Sequence, residues 1–232
     1  PDSDTYKKLN ATLKDLDRIV SELSLTATKI GNKPNSLIFG SDNKDPIPLS
    51  DVLPILENMG LRVMGEKPHE ISLKDQTVWI NDFEMTQIHE QEIEVDAIKD
   101  SFQEAFAKAW YGEIENDSFN RLVLNAGLTW QEISVFRAYT KYLRQTNFTF
   151  SQPYVEQAIT SHPHIAKALI ELFKIRFNPD NSADQTSVNP TKQFIFQALD
   201  KVSSLDEDRI IRRFIEIIEA TLRTNYFQTD KN

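Results

Sequence analysis

The sequence predicts an α+β fold, predominantly helical, in which a small ferredoxin-like sheet unit precedes an all-α multi-helix domain. Three observations predict it. Between residues 22 and 85, short β-branched or alternating runs are separated by turn residues and one helical stretch. From about residue 95 onward the apolar residues recur at helical spacing and continue to do so. Of the 23 aromatic residues, 14 lie between Phe102 and Phe177, and such side chains bury more area than any others, so that half must hold a large core.

Taken in order, residues 4–21 read as a charged amphipathic helix, with Leu9, Leu13, Leu16 and Val20 on one side. ELSLTATKI (22–30) reads as a strand, broken by Gly31, Asn32 and Pro34, and NSLIFG as a second short strand. GSDNKDPIP (40–48) is a loop. Ser50 or Asp51 is expected to cap the helix DVLPILENM, with Pro54 in its first turn and Gly60 as the left-handed stop. LRVM follows, with Leu61 and Val63 on one face, and after Lys67-Pro68 HEISL continues it. QTVWINDFE is a third strand, with Val78 and Ile80 on one face and Trp79 and Phe83 on the other. Strand, helix, strand, strand is most of a ferredoxin-like unit. Glu90, Glu92, Glu94 and Asp96 mark a solvated linker.

Helices then succeed one another. In 95–111 the stripe is Ile98, Phe102, Ala105, Phe106, Ala109 and Trp110. Asp117 or Ser118 starts the next helix and Gly127 ends it. Thr129 with Glu132 forms a capping box for 130–146. Ser151-x-Pro153 and Ser161-x-Pro163 open two more. A polar loop, NPDNSADQTSVNP (178–190), precedes a helix over 191–202. Ser204 with Glu207 is a second capping box, for a long helix over 205–226. Its inward face is read as Ile210, Ile211, Phe214, Ile217, Ile218 and Leu222, and Glu219 and Arg223 stand in the favourable i,i+4 order. The domain boundaries are therefore 1–21 for the N-terminal helix, 22–93 for the α+β unit and 94–232 for the helices. Pro1 and the tail QTDKN are both read as internal to something longer.

Composition excludes several classes of chemistry. Cysteine is absent, which removes disulfides, thiol nucleophiles and Cys-ligated zinc. The net charge is −9 with no basic tract, which disfavours nucleic acid. No apolar run is long enough to span a bilayer and the N-terminus is no signal peptide, so neither a membrane nor secretion is expected, and a cytoplasmic location fits. The six glycines include no G-x-G pair, so the usual dinucleotide fingerprint and phosphate loop have no counterpart. His162 and His164 diverge around a helix start and cannot share a metal as an i,i+4 pair would. No catalytic, cofactor-binding or metal-ligating residue is assigned.

Two weaker sites stand out. The helix start at Ser50 and Asp51 could hold a small anionic effector; against this, a carboxylate there already complements the helix dipole. On helix 130–146, Arg137, Lys141 and Arg144 form a basic stripe that, with Trp130, could make a subunit contact. The competing reading is a solvated face. The opposite arc, Ile133, Val135, Phe136, Tyr139, Tyr142 and Leu143, is wide enough to pack on more than one neighbour.

Four long stretches carry a resemblance. PLSDVLPILENMGLRV (48–63), VWINDFEM (78–85), ENDSFNRLVLNAGLTWQEISVFRAYTKYLRQTNFTFSQPYVEQAI (115–159) and SLDEDRIIRRFIEIIEATLRTNYFQ (204–228) closely resemble the large bacterial NAD-specific glutamate dehydrogenases. The similarity runs from about Leu23 onward. The resemblance implies that the chain is the last ACT-like domain and the helical motifs that precede the catalytic core. It implies a regulatory and assembly role in a cytoplasmic homo-oligomer, with the core of the same polypeptide, identical subunits and an amino-acid effector as partners. The parent reaction it implies is the oxidative deamination of L-glutamate to 2-oxoglutarate and ammonium with NAD, in amino-acid catabolism. The segment itself is expected to be inactive. An ACT-like unit should end in a second helix and a fourth strand; here either NSLIFG fills that strand's place or the sheet is incomplete. Two other readings stand beside this one: a free-standing helical interaction module without an attached enzyme, and a small independent enzyme using scattered carboxylates.

Overall fold

The computed structural model describes residues 24–26, 35–41, 48–72, 77–88, 95–179 and 188–228. The expected helix over 4–21 lies outside them, as do most of the loop 40–48 and of the polar loop 178–190. The chain divides into two compact units, 1–117 and 118–232.

The first unit holds strands β1 (Ser24–Thr26), β2 (Asn35–Ser41), β3 (Leu61–Ser72) and β4 (Thr77–Gln87), with helices α1 (Leu49–Asn58) and α2 (Val95–Trp110). The sheet order is β1-β2-β4-β3 and every pairing is antiparallel. The segment β2-α1-β3 is thus a split crossover with β4 inserted between its strands, the ferredoxin-like arrangement. NSLIFG is a central strand of this sheet, and the edge place beside it is taken by β1, from earlier in the chain. HEISL continues LRVM, as the sequence reading had it. They form one edge strand with a bulge between Val63 and Gly65, and Pro68 is tolerated because an edge strand can spare a donor.

Asn81, Phe83 and Met85 of β4 alternate onto a buried face. Val52, Ile55 and Leu56 of α1 are buried in the same unit, as are Phe102, Ala105 and Phe106 of α2. The sequence boundary at residue 94 assigned α2 to the helical domain, whereas it groups with the sheet. Its apolar stripe told which side is buried but not what covers it. Asn58 at the end of α1 donates to the Asn116 carbonyl and to its side-chain oxygen, at 3.2 and 3.0 Å, which closes the unit.

Helix α1 begins two or three residues earlier than its polar residues suggested. Pro48 is the cap and no side chain bonds there. Ser50 and Asp51 therefore lie inside the first turn, and Pro54 sits in the helix interior. Gly60 follows the helix with φ 86°, a conformation in which a Cβ crowds the next carbonyl. Gly60→Ala is expected to destabilise this unit by about 1–2 kcal/mol, read as a lower urea midpoint with an unchanged slope.

The second unit opens with a 3₁₀ turn (Ser118–Asn120) running into α3 (Arg121–Ala126). Then come α4 (Trp130–Gln145), α5 (Gln152–Thr160), α6 (Pro163–Phe177), α7 (Val188–Leu199) and α8 (Leu205–Ala220). Gly127, at φ 64°, stops α3 as its position implied. The capping box at Thr129 and Glu132 is present in full. Helix α6 buries Ile165, Ala166, Leu169, Ile170, Leu172 and Phe173 on one broad face, while His164, Lys167 and Glu171 on the other are exposed.

Helix α8 ends at Ala220, six residues before the expected stop, and Leu222 is 88% exposed rather than inward. The chain leaves the helix because Tyr226 and Phe227 return to pack on Phe173 of α6, with ring centroids 5.3 and 6.2 Å away. Glu219 consequently meets Lys192 of α7, not Arg223. Ile210, Ile211, Phe214, Ile215, Ile217 and Ile218 are all buried. At about 1.5–3 kcal/mol each they contribute an upper bound near 9–18 kcal/mol. Burial that recurs from Ile210 to Ile218 makes α8 integral to the unit and not an appendage.

Candidate functional site

The chemistry of the helical unit is concentrated where α4, α6 and α8 meet. Phe136 of α4 stacks on Phe119 at 5.9 Å and meets Phe214 of α8 edge-on at 5.8 Å. One turn on, Tyr139 meets both Phe173 of α6 and Phe214 edge-on, at 6.3 and 6.5 Å. Its hydroxyl lies 3.1 Å from Thr221 Oγ1. Beside it a half-open cleft of about 500 Å³ runs between α4 and α8, bounded by Tyr139, Tyr142, Arg213, Glu216, Ala220 and Thr221. Arg213 Nη1 donates to Glu216 Oε2 at 2.6 Å on its rim. Tyr142, which the sequence placed on the wide apolar arc of this helix, is 52% exposed and forms a wall of this cleft.

Burial raises the pKa of the Tyr139 hydroxyl above the ordinary tyrosine value of 10.0, opposed in part by its bond to Thr221 and by the Arg176 charge. Tyr226 is raised by burial and by the Glu132 charge. Both groups therefore keep their protons longer in the folded chain. The stability they contribute is fully present below the unfolded value and is lost as pH rises through the folded one. Urea midpoints are expected to fall above about pH 10, and Tyr139→Phe should flatten that fall.

Charged side chains are built into the interior as well. Glu132 is the clearest case. Its Oε2 accepts the Thr129 backbone N–H at 2.7 Å and the Thr129 hydroxyl at 3.1 Å, while Oε1 accepts Lys174 Nζ of α6. One carboxylate thus caps α4 and ties it to α6. Glu156 of α5 accepts the Ser118 hydroxyl at 2.6 Å and Gln152 Nε2 at 2.9 Å, anchoring the first turn of the unit. His162 Nε2 and Glu207 Oε2 are 2.8 Å apart, joining the start of α6 to the start of α8, with each side chain about four-fifths buried. Ser204 caps α8 through the Glu207 N–H, so the second capping box is half formed: the Glu207 carboxylate turns to the histidine. His164 is held below the usual histidine value by burial and by the charges of His162 and Lys201.

The residues singled out from the sequence do not converge. Ser50 Oγ donates to Asp51 Oδ1 at 3.1 Å, on an exposed first turn. The basic stripe on α4 divides. Arg137 is buried, 5% exposed, and its Nη2 donates to Asn120 Oδ1 at 2.7 Å, so it is an interior anchor and does not belong to a contact surface. Lys141 and Arg144 are exposed, Arg144 reaching Gln152 Oε1 at 3.3 Å, and Trp130 is half-buried. The sequence reading missed Asn120, Glu156 and the His162–Glu207 pair. None carries a local signal except Glu207, whose capping position pointed to Ser204. Among the described residues, no group of three or more His, Cys, Asp or Glu is placed to hold a metal ion. Nor is any helix among them long and apolar enough to cross a membrane. What this arrangement can do is transmit position, since Lys174–Glu132, Arg137–Asn120, Ser118–Glu156 and His162–Glu207 each tie one segment of the unit to another.

Comparison with known proteins gives consistent matches along the chain. Residues 38–98, from β2 into α2, match the family described as glutamate dehydrogenase, ACT3 domain. Residues 114–179, from the 3₁₀ turn through α6, match glutamate dehydrogenase, helical motif 3. Residues 194–232, which include α8, match the bacterial NAD-glutamate dehydrogenase catalytic domain. The sequence reading set that core wholly beyond this chain, whereas the match reaches back to residue 194. Relatives named NAD-specific glutamate dehydrogenase occur in Halomonas elongata, 44% identical over 183 residues, and in Pseudomonas aeruginosa, 42% identical over 192. Another, in Mycobacterium tuberculosis, is 39% identical over 189 residues. These alignments cover 78–81% of this chain but only 11–12% of each relative's length.

Proposed function

Because this chain belongs to the bacterial NAD-specific glutamate dehydrogenase family, we propose that it is a non-catalytic regulatory and assembly segment of such an enzyme. The parent enzyme oxidatively deaminates L-glutamate to 2-oxoglutarate and ammonium, with NAD accepting the hydride, in cytoplasmic amino-acid breakdown. The segment supplies no group to that reaction. It links an ACT-like unit to the start of the catalytic domain and sets the position of one subunit against the next. The observation that carries this reading is the packing of α8, within the catalytic-domain match, onto α4 and α6, within the helical-motif match.

Linkage supplies the mechanism. An effector that favours one arrangement of the segment shifts the population of the whole enzyme by its difference in affinity for the two arrangements. Trp130, Lys141 and Arg144 remain the subunit-contact candidates, now without Arg137. The α1 start at Ser50 and Asp51 remains the effector candidate.

The test has two arms. The 232-residue chain, incubated with glutamate and NAD, should form no NADH. A full-length enzyme lacking residues 38–179 should lose its native oligomer by light scattering, and its activity with it. Robust turnover by the isolated chain, or a deletion variant with unchanged assembly and activity, would refute the reading. Calorimetric titration of the chain with amino acids, beside Asp51→Ala, checks the effector site; absence of heat with all of them removes it while leaving the assembly role.

A further inference from the structure

We infer that the face formed by α4 and α6 is the docking seat for the first helices of the catalytic domain, so that helical motif and catalytic segment fold and open as one cooperative body. The inference deepens the reading above and rests on it for the identity of the segment from residue 194.

The contacts are spread along the full length of α8. At its start Glu207 meets His162 at the head of α6. At its middle Phe214 lies edge-on to Phe136 and Tyr139 of α4. At its end Arg176 of α6 donates to the Glu219 carbonyl at 2.6 Å, and the Tyr139 hydroxyl meets Thr221. Glu207 and Glu219 are twelve residues apart, so the seat holds α8 at points separated by about 18 Å. A helix held at one end can pivot; one held at both ends and the middle moves only with its partners. Beyond the helix, Tyr226 and Phe227 close over Phe173. Each pair joins a residue of the helical-motif match to one of the catalytic-domain match. Lifting α8 would also strip the cover from Phe136 and Phe173, both buried in the unit. A displacement of the helical motif is therefore delivered to α8 as a rigid-body movement.

Hydrogen exchange on the 232-residue chain tests this. In the unaltered protein the slowest amides of α4, α6 and α8 should exchange at a common rate. Phe214→Ala, placed in α8, should accelerate the slow amides of all three helices together by more than tenfold, with β4 amides as internal reference. His162→Gln, a milder change outside α8, should accelerate α6 and α8 together by a few-fold, and serves if the first variant does not fold. Acceleration confined to α8 in Phe214→Ala, or to α6 in His162→Gln, would overturn the inference. The measurement reads opening and not catalysis, so a failed regulatory role would leave its outcome unchanged.

Discussion

Phe136→Ala is expected to destabilise the helical unit by about 3–5 kcal/mol, the range for truncating a fully buried aromatic ring. Phe136 is 1% exposed and lies between Phe119 and Phe214, which it meets with different geometries, one stacked and one edge-on. Removing the ring leaves a cavity bounded by two other rings on separate elements, and neither can collapse into it without leaving its own neighbours. The loss is a large share of the stability of any ordinary domain. Urea unfolding followed by far-ultraviolet circular dichroism should show a much lower midpoint for the second unit. Phe136→Leu, which refills most of the volume, should recover a good part of it. A loss below about 1 kcal/mol in the alanine variant would mean that this cluster is not the core of the unit.

Asn120→Ala should cost about 2–4 kcal/mol, more than the average for a lost hydrogen bond. The reason is the group left behind. Asn120 is 1% exposed and its Oδ1 accepts from the Arg137 guanidinium, itself buried. Without that oxygen the buried guanidinium loses one of its acceptors in a low-dielectric interior, and a bond lost by a charged donor costs more than one between neutral groups. Asn120→Asp, which keeps an acceptor in the same place, should retain most of the stability. The comparison is made by chemical denaturation at neutral pH. Equal losses in the two variants would show that the side chain acts by shape alone.

Signals that work within a few residues were readable in the sequence. The capping box at Thr129 and Glu132 formed as written, and Gly60 and Gly127 stop their helices with positive φ. Those features depend on neighbours along the chain, which a sequence displays. Features that depend on distant partners were not readable. Arg137 looked like part of a solvated stripe because its acceptor, Asn120, lies 17 positions away across a turn and a short helix. The stripe on α2 gave its buried side but not the sheet unit that covers it. The end of α8 carried no Gly or Pro to announce it, since the chain is drawn off by Tyr226 and Phe227 reaching back to α6. The same limit hid the candidate site. The cleft beside Tyr139 and the pairing of His162 with Glu207 each need two helices far apart in sequence.

The order of the strands has a practical consequence for anyone who trims this protein. Since β1 covers the outer side of β2 through the pairs from Ser24↔Ile38 to Thr26↔Ser36, shortening the chain to start at Asn35 uncovers a row of backbone amides and carbonyls. Such a bare rim recruits other chains, and self-association on concentration, relieved by restoring the leading residues, is the behaviour to look for in truncated material.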